Sequence, residues 1–246
     1  MKMCERMLLF LEVLTVNRKA LSNYFTRAER LLWCSSVLLI TLSFCLFDRA
    51  NYLTLVASIV GATSLVLNAK GNPIGQFLMV VFSLLYGVIS LRFAYYGEMI
   101  TYLGMTGPMA LFALISWLKN PYGGNRAEVK VDRLKRGEGA VMLALTAAVT
   151  AVFFFVLRAF HTANLGVSTL SVATSFLAVY LTFRRNPYYA LAYAANDLVL
   201  IALWGMASLT DPSYLSVVIC FAMFLLNDLY GFVNWRRMQI RQSAAR

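Results

Sequence analysis

The sequence YLTLVASIVGATSLVLNAKGNPIGQFLMVVFSLLYGVISLR (residues 52–92) decides the fold. Tyr52 to Ala69 and Pro73 to Leu91 contain no charged residue, and each falls in the range of about 17 to 25 residues that an α-helix needs to cross a bilayer. Only Lys70-Gly71-Asn72 separates them. Pro73 opens the second stretch at a helical first turn, where its missing N–H costs nothing. The reading is two membrane spans joined by a tight, positively charged turn.

Long uncharged stretches and short polar joints make up the rest of the chain as well. Of 246 residues, 60% are apolar and 13% charged, where a soluble domain carries roughly a quarter charged. Eight spans are expected: Leu31 to Phe47, Tyr52 to Ala69, Pro73 to Leu91, Met99 to Leu118, Gly139 to Leu157, Thr162 to Phe183, Pro187 to Leu209 and Pro212 to Trp235. The organisation is then a cytoplasmic segment 1–30, an extra helix 31–47, a three-helix unit 52–118, a cytoplasmic loop 119–138, a linker helix 139–157, a second three-helix unit 162–235 and a cytoplasmic tail 236–246.

Sidedness tests the count, because Lys and Arg gather in cytoplasmic connections. Of the 22 Lys and Arg, the outer connections hold Arg49, Arg92 and Arg158, which leaves 19 inside. One span missed or invented would reverse every later loop and scatter that division. The net charge of +11 therefore reports orientation, and nucleic acid is not an expected partner, since no basic folded domain is left once the spans are removed. No signal-peptide pattern precedes Leu31, so the first span is expected to stay. Met7 to Val16 is too short to span and is read as lying along the cytoplasmic interface.

Repetition sharpens the picture. Lys70-Gly71-Asn72-Pro73 recurs 114 positions later as Arg184-Arg185-Asn186-Pro187. The face Thr54, Ser58, Gly61, Leu65, Asn68 is matched at the same offset by Ser168, Val172, Ser175, Val179, Thr182. Two three-helix copies joined by a one-helix linker face the same way in the membrane, as in SWEET-type transporters, where two bundles rock about a shared site. An all-α membrane protein with a SWEET-like 3+1+3 core and one additional N-terminal helix is expected, and transport is the function that follows.

Asp197 and Asp228 are read as the carboxylates well inside spans, each following an Asn. A mid-membrane Asp costs about 2.5 to 3.5 kcal/mol on insertion scales, so it should face a cavity or a partner. Asp228 has a second reading, pairing with Arg236 or Lys119 near the cytoplasmic side. Helical stripes place Tyr193, Asn196, Asp197 and Trp204 on one face, Asn227, Tyr230 and Asn234 on another, and Gln76 on a third small and polar face. These eight residues form the candidate substrate site. Packing is the competing explanation, because intramembrane amides also join helices at about 0.6 kcal/mol each, and Tyr86, Tyr102 and Trp117 are open to a lipid-facing or interfacial role.

Enzyme chemistry has no support. HExxH, GxSxG and GxxxxGK[ST] are missing from the sequence, which removes zinc hydrolysis, serine hydrolysis and direct ATP drive. His161 stands alone in an outer loop, and Cys4, Cys34, Cys45 and Cys220 lack CxxC spacing. No metal and no cofactor are expected.

The run NAKGNPIGQFLMVVFSLLYGVISLRFAYYGEMITYLGMTGPMALFALISWLKNP, with PYYALAYAANDLVLIALW and FLLNDLYGFVNW, resembles the PnuC vitamin-transporter family over roughly residues 52–120 and 166–238. The resemblance implies facilitated uptake of a nucleoside-like vitamin, typically nicotinamide riboside, across a bacterial inner membrane. A cytoplasmic kinase then traps it by phosphorylation, a functional link that requires no contact. Family members often carry a Trp four residues before the Asn of the penultimate helix, where this chain has Ala192. Thiamine and riboflavin therefore stay open as cargo, as do a membrane metabolite sensor and a homo-oligomer.

Overall fold

The computed structural model describes residues 24–92, 95–162 and 164–245; Cys4 and Met7 to Val16 lie outside them. Among the described residues eight helices are long and apolar enough to cross a bilayer: α1 (Arg27–Phe47), α2 (Tyr52–Ala69), α3 (Pro73–Arg92), α4 (Tyr96–Lys119), α5 (Glu138–Ala159), α6 (Leu165–Phe183), α7 (Tyr189–Ser208) and α8 (Pro212–Ala244). The protein is an all-α, multi-pass membrane protein. α8 has 33 residues and is thus about 50 Å long, well beyond the roughly 30 Å of a hydrocarbon core, so its last turns project past the membrane.

Six helices close into a ring. α2 packs on α3, α3 on α4, α4 on α6, α6 on α7, α7 on α8, and α8 back on α2. α1 leans on α8 and α2 from outside, and α5 on α6. The ring helices bury one stripe each: Thr54, Ser58, Gly61, Leu65 and Asn68 of α2 are all buried, and so are their counterparts Ser168, Val172, Ser175, Val179 and Thr182 of α6. α5 instead turns Val141, Leu143, Leu145, Val152 and Phe155 outward, a surface that only lipid solvates without cost. α4 contains a π-helical turn at Tyr102–Thr106, just before Pro108. Proline has no N–H for the ladder and its ring crowds the preceding turn, so the extra residue per turn absorbs the misfit.

The two Asn-Pro turns adopt one geometry. Asn72 Oδ1 accepts from Ile74 N–H (2.9 Å) and Asn186 Oδ1 from Tyr188 N–H (3.1 Å). Asn72 N–H donates to Leu67 O and Asn186 N–H to Leu181 O, each at 3.0 Å. Both turns need a left-handed residue, supplied by Gly71 (φ +67°) in the first and by Arg185 (φ +55°) in the second. Glycine takes that conformation freely, whereas a side chain costs about 1 to 2 kcal/mol. Asp132 offsets the cost at Arg185, its N–H donating to Arg185 O (3.0 Å) and its carboxylate reaching the guanidinium (3.2 Å).

The connection between α4 and α5 is structured. β1 (Pro121–Tyr122) and β2 (Asn125–Val129) form an antiparallel hairpin turned by Gly123 and Gly124, both at positive φ. It continues as a strap across the end of the ring that carries the Asn-Pro turns, here called the turn face. Val129 N–H bonds Gly71 O (2.9 Å), and Gln242 of the projecting α8 end accepts from Val131 N–H (2.8 Å). At the base of α1, Thr26 and Glu29 form a capping box, and the buried Glu29 also holds Lys70 of the α2–α3 turn (3.0 Å) and Tyr230 of α8 (3.2 Å).

Candidate substrate site

The ring interior is layered. Towards the end away from the turns lies an aromatic layer from α3, α4, α7 and α8: Tyr86 and Tyr102 have ring centroids 4.4 Å apart, and Tyr86 also meets Trp204 (6.4 Å) and Phe221 (5.9 Å). Tyr95 and Tyr214 cover Trp204 from outside, at 4.6 and 5.3 Å. The enclosed cavity here, lined by Thr54, Ser58, Tyr86, Trp204 and Cys220, measures about 10 Å³, room for one water. Neither Trp204 Nε1 nor Tyr86 OH makes a hydrogen bond of good geometry within the described protein, which leaves two buried polar groups pointing at that space.

The turn face is closed by a second layer. Trp117 of α4 and Trp235 of α8 lie 5.3 Å apart and are fully buried, with Tyr189 4.9 Å from Trp235. Each indole crosses to the other half of the molecule: Trp117 Nε1 donates to Thr182 O (2.9 Å) and Trp235 Nε1 to Asn68 O (2.7 Å). The residue before each repeats the crossing, Ser116 Oγ to Phe183 O (3.0 Å) and Asn234 Nδ2 to Ala69 O (2.7 Å). Each indole adds a second donor to a helix-end carbonyl already bonded within its turn, Arg185 N–H at Thr182 O and Gly71 N–H at Asn68 O, and doing so reciprocally ties the two Asn-Pro turns to each other's bundle.

Between the layers sit Asp197 and Asp228. Both carboxyls are buried and face each other within hydrogen-bonding reach. Asp197 acts electrostatically on Tyr102 and Cys220 of the first layer, and Asp228 on Tyr189 and Tyr193 of the second. Two buried carboxyls at such range repel each other when both are charged, so the pair is suited to a cationic ligand. Among the described residues no three His, Cys, Asp or Glu side chains gather to hold a metal ion.

Of the eight residues singled out from the sequence, Asp197, Tyr193 and Trp204 meet in this interior. Gln76 is buried and donates to Asn68 Oδ1 (2.8 Å), itself tied to Ser64 (3.2 Å). Asn196 turns to α6, its Oδ1 accepting from Thr174 (2.8 Å) and Ser175 (2.9 Å). Asn227 donates to Ser36 of α1 (2.9 Å) and Tyr230 to Glu29, so both look outward from the ring, while Asn234 caps α2.

Two expectations are corrected. Asp228 does not pair with Arg236 or Lys119; its partner is Asp197. Tyr86, Tyr102 and Trp117 are not lipid-facing but 5%, 5% and 0% exposed, packed in the core of the ring. Glu29 and Glu98, in the first turns of α1 and α4, are buried as well, each 2% exposed. Glu98 opens α4 and was hidden by its place next to a loop; Tyr102 carried a signal only in its spacing from Glu98.

Comparison with known proteins agrees with this architecture. Residues 51–237 match the family model described as nicotinamide mononucleotide transporter. The chain is 28% identical over 203 residues to a nicotinamide riboside transporter of Neisseria mucosa, covering 80% of this chain and 76% of that one. It is 22% identical over 189 residues to one of Haemophilus influenzae, covering 76% and 80%. A crystal structure of a vitamin B3 transporter superposes with a TM-score of 0.77 at 22% identity, over 89% of this chain and 94% of that one, a likeness of fold.

Proposed function

The chain belongs to the nicotinamide mononucleotide transporter family and is a membrane transporter, not an enzyme; from that premise we propose that its cargo is nicotinamide riboside, carried by alternating access through the ring. The observation that carries the choice is the Asp197–Asp228 pair, buried between two aromatic layers and in no salt bridge with a Lys or Arg among the described residues. A flat pyridinium cation suits both neighbours: the carboxyl pair balances its charge, and the faces of Tyr102, Tyr193 and Trp204 attract it through their quadrupoles. Thiamine shares these features. Riboflavin and simple sugars are neutral and gain nothing from buried carboxyls, which favours the cationic vitamins.

The turn face is the cytoplasmic one in this reading. It carries Lys70, Lys119, Arg184, Arg185, Arg236 and Arg237, against Arg49, Arg92 and Arg158 on the opposite side, which supports cytoplasmic termini; the bacterial relatives support a bacterial inner membrane. The reciprocal Trp117 and Trp235 contacts and the matched Asn-Pro turns support two parallel three-helix copies, 52–118 and 162–235, that rock about the carboxyl pair. Both layers are closed, the arrangement of an occluded carrier. Gln76 and Asn196 supply amides to the ribose once the bundles separate, whereas Asn227, Tyr230 and Asn234 hold α8 to α1 and α2. Phosphorylation by a cytoplasmic kinase traps the vitamin without contact with the carrier.

Calorimetry on the purified protein with nicotinamide riboside, thiamine and riboflavin tests the assignment, paired with uptake into proteoliposomes. Binding and flux of nicotinamide riboside are expected, and preference for riboflavin would overturn the charge argument. Binding without flux would instead indicate a sensor.

A further inference from the structure

The strap holds both Asn-Pro turns at once. Val129 N–H bonds Gly71 O (2.9 Å) in the first turn, and Asp132 N–H bonds Arg185 O (3.0 Å) in the second. Three peptide units separate those residues, and a fully extended chain spans at most about 3.6 Å per residue. While both bonds are made, the two attachment points on the strap stay within about 10 Å of each other, whatever the helices do. A carrier whose bundles part on the turn face must break one of them.

We propose that the strap is a latch over the cytoplasmic exit, released at its Asp132 end and seated at its Val129 end; the latch rests on the alternating-access reading above. The two ends differ in construction. Val129 is fully buried and Val131 6% exposed, packed with Trp117, Trp235 and Met238. Gln242 clamps the same segment, accepting from Val131 N–H (2.8 Å) and donating to Val129 O (3.1 Å). This end joins α8 to the α2–α3 turn, so release at Asp132 lets the α4–α6 seam open, where Arg185 also meets Ser116, while the α2–α8 seam stays closed as the hinge. Asp132 is 39% exposed and holds Arg185 at 3.2 Å and Arg184 at 3.6 Å. Asp132 brings its side of these ion pairs to water, where salt weakens them, and on release Arg184 keeps Glu138 and Arg185 keeps Ser116 Oγ (3.3 Å) until the seam parts. Release at Asp132 also frees Arg185 from the contacts that offset its left-handed backbone.

Paired cysteines test the latch in a chain whose Cys4, Cys34, Cys45 and Cys220 are replaced by alanine. Asp132→Cys with Arg185→Cys should oxidise in the resting protein, cut nicotinamide riboside uptake at least tenfold, and recover on reduction. Val131→Cys with Gln242→Cys should oxidise with uptake within twofold of the reduced form. Full uptake by the oxidised first pair, or its failure to oxidise, overturns the latch, and a block by the second pair overturns its polarity. A readout that needs no cargo separates this from the substrate assignment: Leu181→Cys, buried beneath the strap, should react several-fold faster with a water-soluble maleimide when Asp132→Asn is added. Equal labelling rates would refute release at Asp132 even if nicotinamide riboside is not the cargo.

Discussion

Asp197→Asn isolates the charge of the site with almost no change of shape. The carboxyl pair is buried in the ring interior; for a bound pyridinium at about 5 Å, an effective dielectric of about 20 gives a Coulomb attraction of about 3 kcal/mol. Part of this is regained because Asp228 remains and can ionise once the substituted amide donates to it, which leaves about 1.5 to 3 kcal/mol. Kd for nicotinamide riboside in calorimetry should therefore rise about 10- to 150-fold, and that for neutral nicotinamide should stay within about threefold. Thermal stability should hold or increase, since an amide pairs with a carboxyl better than a second carboxyl does. A Kd change below about threefold for the cation, or an equal loss for the neutral analogue, would refute the electrostatic role of the pair.

Trp117→Phe and Trp235→Phe each delete an indole bond to a carbonyl that keeps a second donor, Arg185 N–H at Thr182 O and Gly71 N–H at Asn68 O (both 2.9 Å); each should cost about 2 kcal/mol, with the double variant non-additive because the rings touch, as detergent thermal melts will read. Gly71→Ala sets a Cβ 2.8 Å from Met238 Cε and forces φ +67° on a side chain, so a loss of about 1 to 2 kcal/mol is expected, whereas Arg185→Gly trades strain for a lost ion pair and should be near neutral. Burial raises the Asp48 carboxyl above its usual range, and a raised group favours folding at low pH and opposes it as pH climbs through the raised value. Asp48→Asn should therefore raise the melting temperature at about pH 7, with the gain fading as pH falls towards the ordinary carboxylate range.

Much of the membrane architecture was legible because lipid imposes a one-dimensional rule: a span must be long, uncharged and helical. The Asn-Pro turns were legible too, since Pro73 and Pro187 announce helix starts and the basic residues before them announce a side. The site was legible only in part. Asp197, Tyr193 and Trp204 lie on one stripe of one helix, and periodicity finds a stripe. Asn227 and Tyr230 obey the same periodicity yet look outward to α1, because a stripe states which residues share a direction and not what stands opposite.

By itself, then, the sequence determined eight helices, their turns and a doubled three-helix plan, all consequences of local composition and spacing. Tertiary structure alone decided that Asp228 faces Asp197, that Trp117 and Trp235 reach across to each other's bundle, and that the strap bridges both turns. Those contacts join residues from 31 to 167 positions apart. Their geometry follows from closing six helices into a ring, which no single segment encodes.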